Sequence, residues 1–140
     1  MHTSGLNHVI LTVSDVARSR AFYGDLLGFA VTIIEEDPDQ SFVFTSGAVQ
    51  FFLFPSRHPI PGDQFSEFRI GLDHLAFTAP SLDALHDLAN KLQAAGVDTQ
   101  GVEQFGPTGN WYVAFRDPDN IQLEYWLPSE GSPNGSAEHG

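Results

Sequence analysis

The phrase GLNHVILT at residues 5–12 returns as GLDHLAFT at 71–78, so Gly5, Leu6, His8 and Thr12 have counterparts in Gly71, Leu72, His74 and Thr78. Downstream, IQLEYWL at 121–127 sets one carboxylate, Glu124, inside an apolar, strand-like run. Alternate residues of a strand share a face, which puts Gln122, Glu124 and Trp126 on one side and Ile121, Leu123 and Tyr125 on the other. The Ile-Leu-Tyr side suits helix packing and sends Glu124 to the opposite side, where burying a carboxylate without a partner is costly. Two imidazoles and one carboxylate carried on three strands make a facial triad with coordination positions left open for water or substrate. His8, His74 and Glu124 are therefore candidate ligands for Fe(II), Mn(II), Zn(II), Ni(II) or Co(II). Such an ion can polarise a carbonyl, stabilise an enolate, or bind dioxygen and substrate together. The plainer alternative makes each histidine a satisfied polar group at a strand edge and pairs Glu124 with Arg69 or Arg116. Three such residues at matching places in a repeated pattern favour the metal.

The elements that must position the triad are also written twice. HVILTV is a strand, Ser14 and Asp15 offer an N-cap, VARSRAFYGDLL reads as a helix, and Gly28 suits a left-handed C-cap. Strands are then expected over FAVTII (29–34), SFVFT (41–45) and AVQFFLF (48–54), the last two joined by a turn at Ser46-Gly47. In the second copy HLAFTA is a strand, Ser81 an N-cap and LDALHDLANKLQAA a helix. Its Leu85, Leu88, Ala89 and Leu92 form one apolar stripe, and Gly96 closes it. VDTQGVEQ (97–104) is a weaker strand, and NWYVAF (110–115) and IQLEYWL flank an RDPDN turn. The order β-α-β-β-β thus occurs twice, at about 5–54 and 71–128. The irregular linker 55–70 joins them, and the polar segment 129–140 is expected to be a disordered tail.

At 140 residues and 41% hydrophobic, the chain suits one compact domain over 1–128, or two very small units sharing a core. It has no cysteine, which excludes disulfides and thiolate ligands and fits the cytoplasm. No run is long enough to cross a bilayer, and the N-terminus does not read as a secretory signal. A formal charge of −12 would repel a phosphate backbone, so nucleic acid is excluded as a partner; the acidity serves solubility or attracts a cationic ligand.

LNHVILTVSDVARSRAFYGDLLGF resembles the opening module of the vicinal oxygen chelate superfamily, and FRDPDNIQLEYW resembles its closing strand. That superfamily includes glyoxalase I, extradiol ring-cleavage dioxygenases, fosfomycin-resistance thiol transferases and bleomycin-binding proteins. The resemblance implies an α+β fold in which paired βαβββ modules form a cupped eight-stranded sheet with helices on its outer face. It also implies a metal held by His8, His74 and Glu124, and a homodimer. Departures are informative. Phe52, or Phe51 in another register, stands where glyoxalase I-like members carry a fourth ligand. Ala114 and Phe105 stand where extradiol dioxygenases have tyrosine and histidine, and Ile10 where the fosfomycin enzymes have threonine. No characterised subfamily fits.

Phe52, Phe54 and Trp126 are expected on the ligand side of the sheet with Gln50 and Gln122, an aromatic cleft with a few amides; alternatively, these rings fill the seam between modules. Tyr112 and His58 are candidates for acid–base work, with a buried sheet aromatic and a solvated loop residue as the bland alternatives. His2, His86 and His139 are assigned to terminus, helix surface and tail. The leading function is a divalent-metal-dependent dioxygenase, lyase or isomerase acting on a small hydrophobic or aromatic substrate through two vicinal oxygens. The competing one is a non-catalytic resistance protein that sequesters an aromatic or cationic compound.

Overall fold

The computed structural model describes residues 1–107 and 109–129. The expected tail lies, apart from Ser129, outside the described residues, as does His139. The chain divides into two compact units, Met1–Phe65 and Ser66 onward. The first contains β1 (His8–Val13), α1 (Val16–Arg20), β2 (Thr32–Ile33), β3 (Phe42–Ser46) and β4 (Val49–Pro55). The second contains β5 (Leu75–Thr78), α2 (Leu82–Ala94), β6 (Glu103–Gln104), β7 (Trp111–Arg116) and β8 (Gln122–Leu127). Each makes a four-stranded sheet of the same topology, β1-β4-β3-β2 and β5-β8-β7-β6. In both, the first strand lies parallel to the last and the remaining pairs are antiparallel. The fold is α+β, with βαβββ written twice.

Both helices start where capping chemistry predicts. The Asp15 carboxylate accepts from Arg18 N at 3.1 Å and the Ser81 hydroxyl from Ala84 N at 3.1 Å. Gly28 and Gly96 follow them with φ of +85° and +74°. In α2 the predicted stripe of Leu85, Leu88, Ala89 and Leu92 is buried, beside a core that includes Val113, Phe115 and Leu123. Fully burying each leucine stabilises by about 1.5–3 kcal/mol. In the first unit Phe44 stacks on Tyr23, Phe29 and Phe51, with ring centroids 5.4, 4.2 and 5.1 Å away.

Three expected elements are shorter or different, and backbone hydrogen bonds say why. The helix expected over 16–27 is α-helical only to Arg20, and Ala21–Leu26 widen into a π-helix, with Leu27 N donating to Phe22 O at 2.9 Å. The strand expected over 29–34 shrinks to Thr32–Ile33 because Phe29 N donates back to Tyr23 O at 3.0 Å and is lost to any ladder. The strand expected over 97–104 shrinks to Glu103–Gln104. Thr99 Oγ1 donates to Ala114 O at 2.9 Å and accepts from Gly101 N at 3.1 Å, so side-chain bonds replace the ladder there.

The turn between β7 and β8 fixes the register of the strand that carries Glu124. Buried Asp117 accepts from the backbone N–H groups of Asp119 and Ile121 at 2.8 and 2.9 Å, and Asn120 adopts φ of +70°. Ile121 and Leu123 are buried as expected. Burial also pushes the Tyr125 phenol up to about 12. The folded pKa exceeds the unfolded one, so this group's contribution is complete below pH 10 and is lost as pH rises from about 10 to 12, by about 2–3 kcal/mol. Denaturant titrations across that window should show the loss, and Tyr125→Phe should remove this part of it.

Candidate metal centre

In the second unit, β5 and β8 run parallel with Ala76 opposite Glu124 and Thr78 opposite Trp126. His74, two residues before Ala76, shares its strand face and reaches across to the carboxylate. His74 Nε2 lies 3.3 Å from Glu124 Oε1, while Nδ1 lies 2.6 Å from Asp73 Oδ1. The Asp73 hydrogen bond is the main cause that raises the His74 pKa; burial opposes it and Glu124 adds to it. Arg116, the alternative partner for Glu124, is engaged elsewhere: it makes a two-pronged ion pair with Glu67 and donates to Asn120 O at 3.0 Å. That pairing holds the Glu67 carboxyl below its ordinary value.

A depression of about 420 Å³ opens beside the pair, lined by His74, Ala76, Thr78, Glu124, Trp126 and Pro128. Trp126 stacks on Tyr112 at 5.6 Å and meets Phe105 at 6.0 Å. Tyr112 donates its hydroxyl to Glu103 Oε2 at 3.2 Å, and burial, then Glu103, raises its pKa, so the phenol keeps its proton. Gln122 shares the strand face of Glu124 but lines a neighbouring depression with Ala114 and Arg116.

The first unit repeats the plan with different chemistry. His8 opens β1 opposite Gln50, and Ile10 lies opposite Phe52. Ile10–Phe52 therefore corresponds to Ala76–Glu124, and Phe52 is the counterpart of the carboxylate. The alternative register falls, since Phe51 is buried against Phe44. The His8 ring meets Phe52 edge-on at 5.9 Å, and Phe52 stacks with Phe54 at 6.1 Å. His8 Nδ1 lies 2.7 Å from Asn7 Oδ1. His58 is exposed, its backbone N–H donating to Ser56 Oγ at 3.1 Å.

His74 and Glu124 are thus brought together within one unit, and His8 belongs to the other. Within either unit taken by itself, no three His, Asp or Glu side chains gather as a metal cluster among the described residues. Sequence reasoning missed Asn7, Asp73, Glu103 and the position of Phe105 beside Trp126. Only the first two left a signal, as the polar residue before each repeated histidine.

The sequence profile of the glyoxalase/bleomycin resistance protein/dioxygenase superfamily matches residues 5–125. The chain belongs to that superfamily. It is 33% identical over 133 residues to the uncharacterized protein YwkD of Bacillus subtilis, covering 90% of this chain and 98% of that one. It is 27% identical over 145 residues to biphenyl-2,3-diol 1,2-dioxygenase 3 of Rhodococcus globerulus, covering 98% of this chain and 70% of the dioxygenase. The crystal structure of a glyoxylase/bleomycin resistance protein/dioxygenase domain from Frankia sp. EAN1pec superposes with a TM-score of 0.78 at 31% identity, covering 99% of this chain and all of that one. Superfamily membership agrees with the duplicated βαβββ topology.

Proposed function

We propose that this chain is a divalent-metal-dependent enzyme in which His74, Glu124 and His8 hold the cation. The carrying observation is the His74–Glu124 pair. Two ligands each about 2.1 Å from one ion stand about 3.0 Å apart at octahedral and about 3.4 Å at tetrahedral angles. The observed 3.3 Å falls within that interval. With Nδ1 engaged by Asp73, Nε2 is the nitrogen offered to the ion. When bound, a cation of this type supplies Lewis acidity toward a substrate that presents two vicinal oxygens, or brings dioxygen beside it.

The chain's own residues do the rest. Trp126, Phe52 and Phe54 offer flat apolar surface to a small hydrophobic or aromatic substrate, and Gln50 and Gln122 offer amides to its polar edge. Tyr112 retains its proton and serves as a hydrogen-bond donor, not as a base. His58, exposed in the linker, is the proposed proton carrier to solvent. Ring cleavage and lyase or isomerase chemistry both accord with this set. No helix among the described residues is long and apolar enough to cross a membrane, and the proposed setting is the cytoplasm. The proposed assembly is a homodimer, on the strength of the superfamily resemblance.

Size-exclusion chromatography with light scattering and in-line elemental mass spectrometry tests both points on one sample. The expected result is about one Fe, Mn, Zn, Ni or Co per chain at dimer mass. A chain that refuses metal even after loading overturns the enzyme reading. Capture of an aromatic compound that persists after chelation would then establish the sequestering alternative, and a monomer mass would overturn the dimer.

A further inference from the structure

Asn7 and Asp73 occupy the same place in the two modules, immediately before the repeated histidines, and each meets the Nδ1 atom of its neighbour, at 2.7 and 2.6 Å. The backbone leading into both contacts is also repeated, since Gly5 and Gly71 adopt φ of +113° and +140°, a region that L side chains avoid. The repeated phrase therefore has a division of labour. Glycine makes the bend, the polar residue takes Nδ1, and the histidine turns Nε2 toward the sheet face, where Glu124 lies 3.3 Å from His74.

We infer that Asp73 and Asn7 are positioning residues, fixing the tautomer and ring orientation of His74 and His8 so that Nε2 is the donor atom, with Asp73 the stronger of the two. This rests on the metal-enzyme reading above. An ionised carboxylate has no proton to give, so the ring presents N–H at Nδ1 to Asp73, and Nε2, facing Glu124 at 3.3 Å, is the nitrogen left to exchange its proton for a cation. The Asn7 amide oxygen imposes the same choice. The two are unequal because a hydrogen bond to a charged acceptor is stronger than one to an amide. It also makes the ring a better ligand. The second unit, which already holds the carboxylate, thus contributes the stronger histidine.

The test compares the intact chain with Asp73→Ala, Asp73→Asn and Asn7→Ala, using Co(II) as the probe and the nitrogen shifts of the metal-free His74 ring as a second readout. Asp73 is largely exposed, its side chain at 68%, so these variants are expected to fold. Asp73→Ala should weaken Co(II) binding by about 10–100-fold and release the neutral His74 ring from the Nδ1–H tautomer. Asp73→Asn should restore most of both, because Asn7 performs the same task at His8, and Asn7→Ala should lose less than Asp73→Ala. Unchanged affinity and an unchanged tautomer in Asp73→Ala overturn the inference. If the intact chain takes no Co(II), the proposed function falls instead, and the tautomer alone then decides whether Asp73 holds the ring.

Discussion

Glu124→Ala is expected to lower divalent-metal affinity by more than about 100-fold, since losing even an outer-shell partner of a metal ligand costs about 10–100-fold. Any metal-dependent turnover should disappear with it. The fold should survive. Glu124 projects from the face of β8 opposite the buried Leu123; its side chain is 13% exposed, and its ion-pair partner His74 is 36% exposed. Circular dichroism and thermal unfolding should therefore match the parent while isothermal titration with Fe(II) or Co(II) shows the loss. Glu124→Gln keeps the shape but not the charge and should fall between the two. Parent-like affinity in Glu124→Ala would remove β8 from the site altogether and leave its carboxylate as a simple partner of His74.

The largest effect on stability is expected at Phe44. It is 2% exposed, lies opposite Phe51 in the β3–β4 ladder, and stacks on three aromatic rings. Truncating a buried phenylalanine costs about 3–5 kcal/mol through lost transfer energy and the cavity left behind. Offset-stacked pairs add about 0.5–1.5 kcal/mol beyond burial. Phe44→Ala should therefore lower the thermal midpoint by roughly 15 °C or more. Phe52→Ala, on the opposite face of the same small sheet and only half-buried, should cost far less. Equal midpoint shifts for the two would contradict the assignment of faces, and calorimetry distinguishes the cases directly.

Those faces follow from the amino-acid order because alternate residues of a strand share a face. Gln50, Phe52 and Phe54 fall on one side and Gln122, Glu124 and Trp126 on its counterpart. The helices are legible from Asp15, Ser81, Gly28 and Gly96, whose capping chemistry is local. What the letters do not carry depends on partners distant in sequence. β6 is short because the side chain of Thr99 claims the carbonyl of Ala114, fifteen residues away. The expected strand at 29–34 shortens because a helix widened at Phe22 and Tyr23 takes back the N–H of Phe29. At the site, the meeting of His74 with Glu124 follows from the parallel register of β5 and β8. Asp73 is visible in the sequence only as a polar letter, since composition does not say which atom a carboxylate will touch.

The buried Asp117 turn also has a consequence for how the chain avoids error while folding. Side chains on a strand alternate, so sliding β8 by one residue would drive Glu124 among the leucines and lift Leu123 onto the open face. Such a slip would strand a charge in apolar surroundings and leave Asp117 without the two N–H groups it gathers from Asp119 and Ile121. Two penalties at opposite ends of one hairpin thus reject the same mistake. A chain that has closed this turn correctly has already committed the Glu124 carboxylate to the side of the sheet where His74 meets it.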